Sequence, residues 1–248
     1  LNNDMVVKPR ALSTLVAALE QRPEAGVAGG KILYYHDPSR IWFGGGRISW
    51  LHGGGIYLSR DKLEEHSGPS GTAREVTFLS GAAWLIRVGA LRMAGLLPEA
   101  YFMGGEESEF SVRMRRQGFR LLYVPQAELL HKVGRSHDKS HTRATSSDRF
   151  DRRSATYAYS SPRHLYNWYR YKLLFQRRNL AAWAYRIWYV SFLMYLAASA
   201  VGMTPASRRI HHDIRGRLLR AVVRDHARYD CVTLEHLQSF EQELADGQ

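Results

Sequence analysis

The stretch Phe102-Met103-Gly104-Gly105-Glu106-Glu107-Ser108-Glu109-Phe110-Ser111-Val112-Arg113 places three carboxylates within four residues, directly after two glycines. The apolar spacing that follows predicts a helix from Ser108 to Gln117. If the helix starts near Glu107, the acids lie in its first turn, where the positive end of the helix dipole favours negative charge. A carboxylate held there stays ionised near neutral pH and can accept a proton from a hydroxyl group. Ordinary acidic capping of a helix gives the same pattern, so this stretch alone leaves both interpretations open.

Other motifs surround the acidic stretch in a definite order. A small-residue segment and a Gly-Leu-Leu-Pro-Glu segment precede it, and a Gly-Phe pair, an apolar strand and a histidine before Gly-x-Ser follow it. They are Phe78-Leu79-Ser80-Gly81-Ala82-Ala83, Met93-Ala94-Gly95-Leu96-Leu97-Pro98-Glu99, Gly118-Phe119, Tyr123-Val124-Pro125-Gln126-Ala127 and His131-Lys132-Val133-Gly134-Arg135-Ser136. With Arg113, these motifs make the stretch from Val76 to Ser136 resemble the C-terminal half of a family-2 glycosyltransferase of the GT-A type, closest to the rhamnosyltransferase-like branch.

The first residues extend the resemblance. Leu1-Asn2-Asn3-Asp4, followed by Val6-Val7 and Pro9, is similar to the segment in which this family carries its version of the Asp-x-Asp metal motif. The resemblance implies that Asp4 binds a divalent cation, Mg or Mn, which bridges the diphosphate of a nucleotide sugar and prefers oxygen ligands. It also implies that His131 is a second metal ligand or touches the diphosphate. A turn aspartate and a surface histidine are the plain alternatives.

The resemblance implies inverting transfer of a sugar from a nucleotide-diphosphate sugar to a hydroxyl of a glycan or a lipid-linked acceptor. Glu107 occupies the place of the catalytic base, with Glu where the family has Asp, and Glu106 would orient the loop or bind the acceptor. Asn3 would contact substrate, and the segment Gly81, Ala82 and Ala83 would line the cleft with small side chains. A glycosidase is a weaker alternative, because acids this close together cannot readily flank a sugar from opposite sides.

A complete GT-A domain begins further upstream, with the βαβ units that hold the base and ribose of the donor. The chain starts within the metal motif at Leu1 and has no initiator Met. We therefore expect a fragment that binds UDP- or dTDP-sugars weakly by itself and exposes apolar sheet edges. A truncated, inactive transferase is the corresponding alternative function.

The charge balance predicts an acidic partner. The 248 residues carry a net charge of +12, and the single Cys231 fits a reducing compartment. Arginines flank an uncharged apolar stretch at residues 187–203, which is at the lower limit for a spanning helix and is typical of an interfacial or re-entrant one. A buried helix in a soluble bundle is the alternative. We expect a cytoplasmic, membrane-associated protein on an anionic surface. A basic lipid- or nucleic-acid-binding protein without catalysis is the alternative, but no nucleic-acid module is recognisable and we expect no nucleic-acid partner.

These patterns predict an α/β fold: a partial GT-A, Rossmann-like mixed sheet with a helical, membrane-associating C-terminal region. The predicted domains are a partial glycosyltransferase domain at 1–140, a polar loop at 141–162 and a basic helical region at 163–248. The predicted elements are a helix at 10–22, a strand Val27–Tyr34, a hairpin within Ile41–Ser59, a polar loop at 60–75, a strand Val76–Leu79, a helix Val88–Gly95 and a strand Leu121–Val124 ended by Pro125.

Overall fold

The computed structural model describes residues 1–64, 71–101, 104–133 and 162–198, together with Gln242. Nearly all of the predicted polar loop at 141–162 lies outside the described residues, as does the predicted helical region beyond residue 198 apart from Gln242. The elements in chain order are β1 (Met5–Val7), α1 (Ala11–Glu20), β2 (Ala25–Tyr34), β3 (Ile41–Phe43), β4 (Gly46–Ser49), β5 (Gly54–Tyr57), β6 (Arg74–Val76), β7 (Leu85–Ile86), α2 (Val88–Ala94), a 3-10 helix (Glu99–Tyr101), α3 (Glu106–Arg116), β8 (Arg120–His131), α4 (Pro162–Asn179) and α5 (Ala182–Ala198).

The described residues fall into two units, of which the first contains residues 1–98 and 106–133. At its centre β2 and β8 run parallel, with Val27 opposite Leu121 and Leu33 opposite Leu130. Both strands are almost continuously buried, as is typical of parallel strands covered on both faces. β1 and β6 pair antiparallel with β8, and β3 and β7 pair antiparallel with β2. The six strands form a mixed sheet, which confirms the predicted α/β fold with a partial GT-A mixed sheet.

Helices cover both faces of this sheet. Leu121 and Leu122 point to opposite faces because side chains alternate along a strand. Leu122 packs in a cluster with residues of α1, including Leu15. Leu121 packs in a second cluster with residues of α2 and α3, including Phe110. The layer containing α3 therefore holds the acidic stretch against the central strands.

The strand β8 does not end at Pro125, as the sequence predicted, but continues to His131. Its pairing with β2 moves from Gly30–Val124 directly to Lys31–Glu128, so three residues beginning with Pro125 bulge out of the ladder. Proline has no N–H to donate, and a bulge is where a strand tolerates one. The second half of β8 then pairs with β1, placing Met5 opposite His131. The predicted strand Val76–Leu79 is also displaced, to Arg74–Val76.

The predicted hairpin is present as β4 and β5, which form a separate two-stranded sheet. Its glycines permit close packing on a phenylalanine: a Cβ added to Gly46 or Gly55 would lie 2.4 Å from the Phe78 ring. The amide of Gly55 also donates to Ser108 Oγ at 3.0 Å, on α3. The hairpin is thereby fixed beside the first turn of α3.

The second unit contains residues 99–105 and the helices α4 and α5. Arg170 of α4 is buried and donates to the carbonyl of Ala100 at 2.6 Å. Phe192 of α5 packs against Trp168 and Tyr169 of α4, with ring centroids 6.2 and 6.0 Å apart. Among the helices that the structure describes, none has the length and apolar character needed to cross a membrane.

Candidate functional site

Asp4 and His131 are far apart in the chain but lie in contact in the first unit. Their partner strands bring them together, since β1 pairs with the end of β8 and the amide of Lys132 donates to the carbonyl of Asp4 at 3.0 Å. Asp4 Oδ2 and His131 Nε2 are 3.0 Å apart. The two side chains are only 15% and 10% exposed. The structure therefore joins the two residues that the resemblance assigned to metal binding.

The environment of His131 favours its neutral form. Burial lowers the pKa of His131, the negative charge of Asp4 opposes this effect, and the positive charge of Arg60 lowers the pKa further. The net shift is downward from 6.5, so the imidazole is uncharged at neutral pH. A neutral imidazole is the form that binds a metal ion.

The Asp4–His131 pair fits part of an octahedral metal site. Asp4 Oδ2 and His131 Nε2 are hydrogen-bonded at 3.0 Å, and two adjacent ligands about 2.1 Å from a magnesium ion would have about the same separation. His131 Nδ1 is buried without a hydrogen-bond partner among the described residues, so the ring has unused polar capacity. No group of three or more His, Cys, Asp or Glu side chains suited to a metal occurs within the described ranges. An ion here would draw further ligands from water or a bound molecule, as magnesium commonly does.

Two aromatic rings lie next to the pair. Trp42 packs edge-on against His131, with centroids 4.3 Å apart, and edge-on against Tyr57 at 5.2 Å. The Tyr57 hydroxyl is 3.1 Å from Ser80 Oγ. The guanidinium of Arg60 lies over both rings, 5.6 Å from the Trp42 centroid and 5.4 Å from that of Tyr57. Trp42 and Tyr57, called the ring pair below, thus extend the site from His131 toward the segment that contains Ser80.

The acidic residues lie at the other side of the ring pair. α3 begins at Glu106, two residues earlier than predicted, so Glu106, Glu107 and Glu109 all lie in its first turn. Burial raises the pKa of Tyr57 well above its usual range, and the negative charges of Glu107 and Glu106 raise it further. The two carboxylates are therefore close enough to the Tyr57 hydroxyl for their charge to raise its pKa. The Oε2 atoms of both are shielded from solvent, and that of Glu106 has no hydrogen-bond partner among the described residues.

The residues of the small-residue segment, Gly81, Ala82 and Ala83, lie in different surroundings. A Cβ added to Gly81 would lie 3.5 Å from the Cβ of Glu107, so Gly81 faces the acidic turn. Ala82 and Ala83 are buried and pack in the core cluster, where their small size serves packing. Their expected place along the cleft stays a prediction. The carbonyl of Ala82 accepts a hydrogen bond from the amide of Asn2 at 2.9 Å, and Asn3 is exposed beside Asp4.

Sequence reasoning missed three members of the site: Trp42, Tyr57 and Arg60. The two aromatic residues stand among glycine triplets in the predicted hairpin, a composition that signals close packing of rings on backbone. Arg60 lies in the predicted polar loop at 60–75, where nothing in the sequence distinguishes it from its charged neighbours. Only the folded arrangement brings it over the ring pair.

Comparison with known proteins identifies the family of the chain. Residues 1–158 match the sequence profile of the family described as "Glycosyltransferase like family 2". The chain is also 29% identical over 196 residues to the N-acetylglucosaminyl-diphospho-decaprenol L-rhamnosyltransferase of Mycobacterium tuberculosis, in strains CDC 1551 / Oshkosh and ATCC 25618 / H37Rv. The alignment covers 73% of this chain and 60% of each relative, so the chain spans less than two thirds of their length. The chain belongs to glycosyltransferase-like family 2, as the resemblance to its rhamnosyltransferase-like members predicted.

Proposed function

We propose that the complete protein transfers a sugar from a nucleotide-diphosphate sugar to an acceptor hydroxyl, with inversion at the anomeric carbon. The observation that carries this proposal is the arrangement around the ring pair. Trp42 contacts His131 of the Asp4–His131 pair, and the negative charge of Glu107 raises the pKa of the Tyr57 hydroxyl. The Asp4–His131 pair can bind a cation and Glu107 can accept a proton. The two thus flank the ring pair. Sugar transfer from a diphosphate needs both in one cleft.

In this proposal Glu107 is the general base. It accepts the proton of the acceptor hydroxyl while that oxygen bonds to the anomeric carbon, and the nucleoside diphosphate leaves with the electrons of the broken bond. The first turn of α3 favours the ionised carboxylate before transfer. Attack and departure on opposite faces give inversion. The absence of a side chain at Gly81 lets the backbone of its segment lie close to Glu107.

Glu106 is proposed to hold the acceptor. Its buried Oε2 has no hydrogen-bond partner among the described residues, and a buried acceptor atom in that state is costly unless a ligand supplies a donor. A hydroxyl of the acceptor sugar would supply that donor. Binding and proton removal would then come from adjacent residues of one helical turn.

Asp4 and His131 are proposed to hold Mg or Mn. Their separation and the neutral state of the imidazole fit such an ion. The bound ion would supply positive charge that stabilises the leaving diphosphate. The protein's own part is to fix the two ligand side chains through the β1–β8 pairing.

An anionic membrane surface is proposed as the place of action, on the cytoplasmic side, with a lipid-linked or glycan acceptor of cell-surface polysaccharide or glycolipid synthesis. On α5, Trp183, Ile187, Val190 and Met194 recur at helical spacing and are all exposed, Trp183 by 70%. Trp188 and Phe192 occupy the buried face of the same helix. An apolar stripe with arginines nearby is typical of a helix that lies in the membrane interface. The names of the two mycobacterial relatives, which specify a lipid-linked diphosphate acceptor, favour the same class.

A transfer assay on the complete protein tests the proposed function. Purified protein, Mg or Mn, extracted membrane lipids and a panel of labelled UDP- and dTDP-sugars, including an L-rhamnosyl donor, are incubated together. We expect label in a lipid-extractable product from one donor, with the anomeric configuration opposite to that of the donor. Retention of configuration would refute the single displacement by an activated hydroxyl. Absence of transfer from every donor, with donor binding demonstrated, would refute the transferase itself.

A further inference from the structure

Arg60 lies in a turn with an uncommon backbone. The residues on both sides of it, Ser59 and Asp61, have φ angles of 56° and 64° although neither is glycine. Residues other than glycine rarely adopt this left-handed backbone region, and two such residues around one position are rarer still. Backbone of this kind persists only where surrounding contacts enforce it, and it is concentrated at functional sites. The turn is therefore a candidate for holding a functional side chain, that of Arg60.

Hydrogen bonds fix the turn to the central sheet. The Tyr34 hydroxyl donates to Asp61 Oδ1 at 2.6 Å, and Arg40 Nη1 donates to the Asp61 carbonyl at 3.0 Å. The Asp61 amide donates to the carbonyl of Ile41 at 2.8 Å. These partners belong to β2, β3 and the segment between them. The turn is thus held by the same strands that position the ring pair.

A second anchor follows a few residues later. Glu64 is bonded to the buried Lys31 of β2, and the amide of Glu64 donates to the carbonyl of Ser39 at 2.8 Å. Before Arg60, the amide of Leu58 donates to the carbonyl of Gly45 at 2.9 Å, so Arg60 is presented from a short segment with ordered contacts on both sides.

The side chain of Arg60 lies over the site described above. Its guanidinium carbon is 5.6 Å from the centroid of Trp42 and 5.4 Å from that of Tyr57. Its charge acts on His131, whose ring touches Trp42 at 4.3 Å. Arg60 is exposed and forms no salt bridge with any carboxylate in the described part of the chain. The rings below it form a cation–π platform for the guanidinium, which also makes a side-chain hydrogen bond with Tyr34.

We propose that Arg60 binds the diphosphate of the sugar donor, an inference that rests on the proposed function. A guanidinium offers a planar fork of donors that matches phosphate oxygens. The carboxylates of Asp4, Glu106 and Glu107 give the site negative charge that disfavours an anionic ligand, and Arg60 offsets it on the side of His131. Because negative charge grows on the diphosphate as the sugar leaves, the same contact strengthens toward the transition state.

Calorimetric titration of the complete protein tests the inference. Wild type, Arg60→Gln, Arg60→Lys and the control Arg47→Gln are titrated with nucleoside diphosphates and with the matching monophosphates. Arg47 is the control because it is an exposed arginine of the neighbouring strand β4. We expect Arg60→Gln to weaken diphosphate binding about tenfold or more, with a smaller loss for the monophosphate, since hydrogen bonds to charged groups are of that strength. Arg60→Lys should fall between Arg60→Gln and wild type, and Arg47→Gln should match wild type.

The possible results distinguish a failure of the proposed Arg60 contact from a failure of the proposed transferase function. If wild type binds a nucleoside diphosphate and Arg60→Gln binds it as tightly as Arg47→Gln does, the inference is overturned and the transferase proposal stands. If wild type binds none of the diphosphates, both are overturned. Circular dichroism melting of each variant identifies any loss of folding. In that case Arg60→Lys, which keeps the charge but loses the planar fork, decides: diphosphate affinity equal to wild type would overturn the proposed contact through the guanidinium fork.

Discussion

Replacement of Lys31 by methionine should destabilise the first unit. Lys31 is a buried lysine in the centre of the sheet, with its side chain only 5% exposed. Its Nζ lies 2.7 Å from Glu128 Oε1 and is also bonded to Glu64. Lys8 contacts the second oxygen of Glu128 at 2.7 Å. Methionine retains the apolar stem of the lysine and removes only the charge that these carboxylates face.

The magnitude follows from the distances and exposures. At an effective dielectric constant of about 20, a pair 2.7 Å apart attracts by about 6 kcal/mol. Burial of the ammonium costs several kcal/mol, which the substitution relieves. The carboxylates of Glu128 and Glu64 are 29% and 36% exposed, so water reaches them, and Glu128 keeps Lys8. We therefore expect a loss of about 2 kcal/mol, below the 3–5 kcal/mol typical of breaking a fully buried pair.

Urea unfolding followed by tryptophan fluorescence measures this loss. Lys62→Met is the matched control, because Lys62 is exposed and should change stability by no more than about 0.5 kcal/mol. A loss for Lys31→Met no larger than that of Lys62→Met would show that the ion pairs of Lys31 do not stabilise the first unit. Removal of both partners, in Lys31→Met with Glu128→Gln, should cost less than the sum of the single changes.

The pH dependence gives an independent check. Burial by itself would raise the pKa of Glu128, but hydrogen bonds from Lys31 and Lys8 outweigh it and lower the pKa below 4.5. A carboxylate with a lowered folded-state pKa contributes stability that is present above the unfolded pKa and lost as pH falls through the folded one. The difference in unfolding free energy between wild type and Lys31→Met should therefore shrink as the pH falls below about 4.5. A constant difference down to pH 3 would contradict the ion-pair explanation.

Three further predictions concern the hairpin, the metal and the membrane. Gly55→Ala should destabilise by about 1–3 kcal/mol because its Cβ would meet the Phe78 ring at 2.4 Å, whereas Gly89→Ala, with open space around its Cβ, should not; equal melting temperatures for the two would refute this. Chelation with EDTA should abolish sugar transfer, and added Mg or Mn should restore it; full activity in EDTA would remove the metal from the proposal. Ile187→Glu with Met194→Glu should reduce flotation with anionic liposomes at low salt relative to wild type, with neutral liposomes as the lipid control; unchanged flotation would exclude the α5 stripe as the contact.

The parts of the fold that sequence predicted are those with a local cause. The apolar run of β2, the acidic start of α3 and the glycine triplets of the hairpin each carry their own periodicity or composition. The association of Asp4 with His131 was predicted only through the family resemblance. No local pattern connects residues separated by 127 positions.

The parts that sequence reasoning missed depend on contacts between distant segments. Pro125 is a stop signal in isolation, but the bulge in β8 accommodates it and thereby carries His131 to β1. Ala82 and Ala83 match a cleft motif and pack in the core with Phe110 and Leu121, which are distant from them in the chain. Arg60 has its position from hydrogen bonds to β2 and β3, which its own neighbours in sequence do not reveal.

The proposed role of Glu107 as the base is tested by one pair of measurements on the complete protein. Glu107→Gln keeps the size of the side chain and removes its ability to accept a proton, and the exposed Glu20→Gln serves as the control. Donor affinity is measured by calorimetry and the transfer rate by single turnover at saturating donor. We predict donor affinity within about twofold of wild type and a rate lower by about 10²–10⁴ for Glu107→Gln alone. A single-turnover rate near that of wild type, with donor bound equally well, would contradict the assignment of Glu107 as the base.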